Sequence, residues 1–151
     1  MAIERGVGDL LRADVDALVN AVNCRGVMGK GLALQFKTTF PEVFAAYQVA
    51  CDAGSVRIGH MHIVERPRSP RFVINFPTKD DWRKPAKLEF IEAGLVDLVE
   101  QVKLRQIGSV AIPPLGCGLG GLDWSVVRPM IVEAFAPLSG VRVVLFEPER
   151  G

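Results

Sequence analysis

Long apolar runs, paired cysteines and an excess of either charge are all missing from this 151-residue chain. No run of about eighteen uninterrupted apolar residues occurs, and the start "MAIERGVGDL" lacks a basic segment leading into an apolar one. The sequence therefore reads as neither membrane-spanning nor exported. Cys24, Cys51 and Cys117 are an odd number of cysteines at spacings that match no CxxC pattern, which excludes a disulfide framework and leaves reduced thiols, as in a cytoplasmic protein. A formal net charge of +1 provides no global field to recruit nucleic acid or an anionic membrane, so any such binding must come from a local patch. There are two histidines, His60 and His62, which alternate on one expected strand. With no third ligand nearby they read as structural, and neither a metal nor a cofactor is expected.

What the chain does have is apolar content, 49% of residues, enough for one substantial core and hence for a single domain over residues 1–151. Short apolar runs at residues 2–5 and in "VDALVNAV", residues 15–22, have the length of buried strands. From Gly29 onward Leu32, Ala33, Phe36 and Phe40 recur at helical spacing, and Pro41 opens a second helix that Gly54 closes. "HMHIVERP" and "RFVINFPT" read as a hairpin around the turn "PRSP". An apolar stripe from Leu88 to Val102 predicts a long helix. "SVAIPPL" is a strand running into glycines, Asp123 caps a further helix, and "VRVVLFEP" ends the pattern as a strand. Such alternation predicts an α/β fold, with a mixed, largely parallel sheet between helices on both faces.

Ligands of such sheets sit beyond the carboxyl ends of the strands. Three loops qualify: "NCRGVMGKG", "FPTKDDWRK" and "LGCGLGG". Two are rich in glycine, so their amides can approach an anion, and the first feeds a helix N-terminus. It is not a P-loop, because Cys24 stands where GxxxxGK[ST] needs its first glycine and Gly31 where it needs a hydroxyl. Gly26, Gly29 and Gly31 do not fit GxGxxG either. One glycine loop is ordinary turn punctuation; two after separate strands point to a phosphate site.

Taken together, "GDLLRADVDALVNAVNCRGVMGKGLALQF", "NFPTKDDWRKPAKLE" and "IPPLGCGLGGLDW" resemble the macro domain, an ADP-ribose-binding module, and most closely the macro domain of DarG antitoxins. The resemblance runs from about Ile3 to Glu147. It implies a three-layer α/β/α sandwich with the pyrophosphate of ADP-ribose between the two glycine loops. By the same resemblance Asp9, with Leu10 beside it, would receive the adenine amino group, although a turn cap is an equal reading of Asp9. Asn20 and Asn23 would lie near the distal ribose; Asn20 could instead satisfy buried backbone. Gly29, Lys30 and Gly31 on one side and Gly116, Cys117, Gly118, Leu119 and Gly120 on the other would hold the phosphates. Lys30 could equally point into solvent, and Cys117, without a histidine partner, reads as packing under its loop.

The resemblance assigns chemistry to Lys79, which follows "NFPT" where the family carries its catalytic lysine. As an amine, such a lysine attacks C1″ of the sugar; as an ammonium it assists the leaving group. A related human glycohydrolase has an aspartate in its second glycine loop, where this chain has Gly120. That absence favours the DarG type, whose substrate carries ADP-ribose on thymine in single-stranded DNA. Thymine leaves as a delocalised imide anion, so a strong general acid is less necessary. Trp82, Arg83 and Lys84, with Lys87 and the hairpin residues Arg66, Arg68 and Arg71, offer charges for phosphates and a ring for base stacking, against Asp80 and Asp81. A solvated hairpin with Trp82 packed inward is the alternative.

The expected function is thus a DNA ADP-ribosyl glycohydrolase acting as the antitoxin of a DarT/DarG-type pair. A reader that binds ADP-ribose without turnover, and a hydrolase of ADP-ribosylated carboxylates or O-acetyl-ADP-ribose, are the alternatives. DarG proteins continue into a second domain that holds the toxin, so contact with a DarT-type toxin is expected only through sequence absent here.

Overall fold

The computed structural model describes residues 2–148. In chain order its elements are β1 (Ala2–Arg5), a 3-10 turn (Leu10–Arg12), β2 (Ala17–Asn23), α1 (Gly31–Thr39), α2 (Pro41–Asp52), β3 (His62–Glu65), β4 (Phe72–Lys79), α3 (Leu88–Leu104), β5 (Ser109–Ile112), α4 (Trp124–Phe135) and β6 (Arg142–Leu145). The strands form one sheet in the order β1-β6-β5-β2-β4-β3. Every neighbouring pair is parallel except β3 with β4.

Side chains alternate across the central strands, and each face of the sheet buries a separate cluster. Ala17, Val19, Ile74, Phe76, Val110, Ile112 and Val143 pack with Ile91, Leu95 and Leu98 of α3 and Val127, Ile131 and Phe135 of α4. Leu18, Val22, Val73, Ala111 and Val144 pack with Phe36 of α1 and Val43 and Tyr47 of α2. The expected three-layer α/β/α sandwich is what forms. Phe40 ends α1 and starts α2, and Pro41 occupies the first turn of α2, where its missing N–H is harmless. Gly54, at φ +73°, turns the chain out of α2.

Three boundaries differ from the sequence reading. His60 lies before β3, so the two histidines do not share a strand; only His62 belongs to it. β6 stops at Leu145 rather than reaching Pro148, and the 3-10 turn, too short to show a period, was not anticipated. The expected hairpin is present, with Arg66 N donating to Arg71 O at 2.6 Å. Its tip, however, adjoins Phe72, the opposite end of β4 from Lys79. Eight residues of strand separate the two by about 23 Å. Among the described residues no helix is long and apolar enough to cross a membrane.

Candidate active site

The carboxyl ends of β2 and β4 and the segment following β5 open into a cleft of about 680 Å3, lined by Asn23, Val27, Gly29 to Ala33, Thr78, Lys79, Trp82, Arg83, Pro113, Pro114, Gly116 and Gly118 to Gly120, among others. The three predicted loops therefore meet in one place. Their backbones are tied together: Cys24 N donates to Asp80 O at 3.2 Å, and Ala86 N to Gly120 O at 3.1 Å.

Asn23 shapes the first glycine loop. Its Oδ1 accepts from Arg25 N at 2.9 Å and from Val27 N at 3.4 Å, and its Nδ2 donates to Val27 O at 2.7 Å. From beneath, the buried Tyr47 hydroxyl donates toward Asn23 O (2.6 Å) and Oδ1 (3.0 Å). Among the described residues, the N–H groups of Gly31, Leu32 and Ala33, in the first turn of α1, have no acceptor. They line the cleft, as does the second loop, where the N–H groups of Gly118, Leu119 and Gly120 are likewise unused. Two sets of free amides thus border one cavity, an arrangement suited to a bridged pair of phosphates.

Gly116 and Gly120 build the second loop rather than leaving space beside it. Gly116 has φ +73°, and a Cβ there would lie 2.7 Å from Leu122 Cδ1. A Cβ on Gly120 would run into Gly116 O and lie 2.8 Å from Gly116 C. Position 120 therefore cannot hold an aspartate in this loop conformation. Gly118 has nothing within 4 Å of a Cβ and a φ outside the left-handed region.

Lys79 ends β4, and its Nζ donates to Leu119 O at 3.3 Å. Next to it, Asp81 does not face solvent as a repelling charge: it is 3% exposed. Arg83 reaches it twice, Nε to Oδ1 at 3.0 Å and Nη2 to Oδ2 at 2.8 Å, and Arg25 Nε lies 3.5 Å from Oδ2. The Arg83 hydrogen bonds hold the Asp81 carboxyl far below the usual carboxylate range. Trp82 is 50% exposed at the cleft, not packed inward.

The family model described as Macro domain matches residues 19–131. The chain belongs to the macro domain family. A Mycobacterium tuberculosis protein named DNA ADP-ribosyl glycohydrolase is 54% identical to it over 151 residues, which cover 99% of this chain and 43% of that protein. The solved macrodomain of Mycobacterium tuberculosis DarG has a TM-score of 0.96 and 54% identity, covering 97% of this chain and 98% of that one. Thermosipho africanus DarTG, solved in complex with ADP-ribose, has a TM-score of 0.91 and 33% identity over 99% of this chain and 43% of that one. This macro domain spans less than half the length of the DNA ADP-ribosyl glycohydrolases it matches.

Of the residues singled out in its sequence, Asn23, Gly29, Lys30, Gly31, Lys79, Trp82, Arg83, Gly116, Gly118, Leu119 and Gly120 line the macro domain's cleft. The others do not. Asp9 caps the 3-10 turn, its Oδ1 accepting from Leu11 N at 3.0 Å, and Leu10 is core against α1 and α2. Asn20 is wholly buried, donating to Asn75 Oδ1 at 3.3 Å, while among the described residues its own Oδ1 has no partner. Cys117 turns its Sγ to Leu115 O at 3.5 Å, and burial pushes the thiol up to about 11, so it is protonated near neutrality. Lys84 is exposed and is not among the residues that line the cleft. Arg66, Arg68 and Arg71 sit at the opposite pole, where Glu42 engages Arg66 at 3.2 Å and Glu65 engages Arg71 at 3.5 Å. Sequence reasoning passed over Arg25, Tyr47 and Thr78. Thr78 stood inside the quoted "NFPTK", whereas nothing local marks Tyr47, which acts across 24 residues.

Proposed function

We propose that this macro domain hydrolyses the N-glycosidic bond between ADP-ribose and thymidine bases of single-stranded DNA, and so counters a DarT-type toxin that attaches the group. One observation carries the reading: in a nucleotide-sized cleft lined by both glycine loops, Lys79 reaches the second loop at Leu119 O, where position 120 admits no carboxylate. A site without that acid suits a leaving group that departs as a stabilised anion.

The pyrophosphate takes the free amides of Gly31 to Ala33 and of Gly118 to Gly120. Asp9, outside the cleft lining, caps its turn with Oδ1 and offers Oδ2 to the adenine amino group of a ligand that extends beyond the cleft. The remaining N–H of Asn23 serves the distal ribose, with Tyr47 holding Asn23 from below, and Asn20 acts near the same ribose. Trp82 stacks on the base, and Arg83 and Lys84 flank the strand. In the reaction the bond from C1″ to the thymine nitrogen breaks, its electron pair leaves as the imide anion, which then takes a proton, and water adds to C1″. Lys79 acts at C1″: as an amine it forms a transient adduct that borohydride traps, and as an ammonium it stabilises the departing anion.

The test is to incubate the protein with an ADP-ribosylated thymidine oligonucleotide and, separately, with ADP-ribosylated glutamate on a protein. Release from DNA alone is expected, lost in Lys79→Ala while the Kd for ADP-ribose stays within a few fold. Release from protein alone would make the domain a carboxyl-ester hydrolase. Binding without release from either would make it a reader.

A further inference from the structure

We propose that Arg25, held beside Arg83 by Asp81, completes a two-arginine seat for one backbone phosphate of a single-stranded nucleic acid at the rim of the cleft. Resting on the DNA reading above, it adds a residue from a different loop and specifies what that residue binds.

Both guanidinium groups converge on one carboxylate oxygen, with Arg83 Nη2 at 2.8 Å and Arg25 Nε at 3.5 Å from Asp81 Oδ2. A shared partner fixes them as neighbours although they come from different loops. Their side chains are 68% and 60% exposed, whereas that of Asp81 is 4% exposed. The carboxylate is thus spent inside the fold. Two cations share this one buried anion, so guanidinium groups face solvent beside the exposed Asp80, and their planar donors suit a single phosphodiester.

Among the described residues, Nη1 of Arg83 and both Nη atoms of Arg25 have no protein acceptor, so planar N–H donors remain for phosphate oxygens. Position matters as much as charge. Trp82 is half exposed, with Arg83 Cζ 5.4 Å from its ring centroid, so a base on that ring and a phosphate on the arginines would belong to adjacent parts of one strand. The arginines of the hairpin cannot substitute, because they lie at the far pole and two of them are already paired.

The test is fluorescence anisotropy of a labelled oligothymidylate titrated with the protein over a salt series, for wild type, Arg25→Ala, Arg25→Lys and Arg68→Ala. Loss of one phosphate contact lowers the slope of log Kd against log salt by about 0.7. Arg25→Ala should show that fall while binding free ADP-ribose as before, Arg25→Lys should restore most of it, and Arg68→Ala should match wild type. An unchanged slope in Arg25→Ala, or an equal fall in Arg68→Ala, would overturn the seat. Cleavage of a modified oligonucleotide by the same preparations tests the glycohydrolase reading by itself. A wild type that fails to cleave would sink that reading, and the anisotropy series would still decide the seat.

Discussion

Gly118 is where ligand and fold can be separated by one small side chain. Gly118 lines the cleft and its Cβ would enter open space, so Gly118→Val should leave the melting temperature near wild type and weaken ADP-ribose at least about tenfold. Gly116→Ala should do the reverse: its added carbon meets Leu122 and its φ is positive, so thermal stability falls first. Calorimetric titration with thermal melts of both variants checks the pair, and equal ADP-ribose affinity in Gly118→Val would remove the second loop from the site. Tyr47→Phe strips the hydroxyl that holds Asn23 from below, leaving a buried carbonyl short of a partner. A loss of about 1 to 2 kcal/mol in stability is expected, read by urea denaturation, together with a higher KM. At this scale the sequence was informative where residues act through the backbone next to them. It misled on Asp81, read as opposing phosphate, because only the fold brings Arg25 and Arg83 around its carboxylate and sinks it.

Strands β2, β4 and β3 carry a polar row across an otherwise apolar face: Asn20 faces Asn75, and Asn75 faces His62. Asn20 Nδ2 donates to Asn75 Oδ1, which leaves Asn75 Nδ2 to contact His62 Nδ1 at 3.1 Å. With the amides so oriented that ring nitrogen accepts, and burial lowers the His62 pKa below its usual value. Because the folded value is depressed, the unfolded chain binds the extra proton more readily. Stability should then be level above about pH 6.5 and fall as pH drops below it. Urea melts from pH 7.5 to 5 check this; in His62→Gln the decline over that window should shrink, and an identical decline would exclude His62 as its source. The elements themselves were legible from periodicity, since apolar runs and stripes report burial directly. Their ends were less so: β3 loses His60 and β6 stops before its last apolar residue, because pairing partners set where a strand ends.

For the whole molecule, the cleft makes ligand binding visible as stability. Free ADP-ribose at 100 times its Kd should stabilise the fold by about 2.7 kcal/mol through mass action, a rise in melting temperature that Gly118→Val should lose. No shift at millimolar ligand would defeat the phosphate reading of both loops. The layer order and the meeting of three loops could be anticipated from strands alternating with helices, but the poles could not. A sequence places "ERPRSPR" a few residues before Lys79, and only the direction of β4 shows that the hairpin tip and the lysine face opposite ways. That strand makes the molecule a two-ended object with a natural point of attachment. A protein tethered to a sensor surface through Arg68→Cys, once its three native thiols are replaced, would present its cleft outward, roughly a strand's length from the support. A chip built in that orientation would leave the cleft open to ligands in the passing solution.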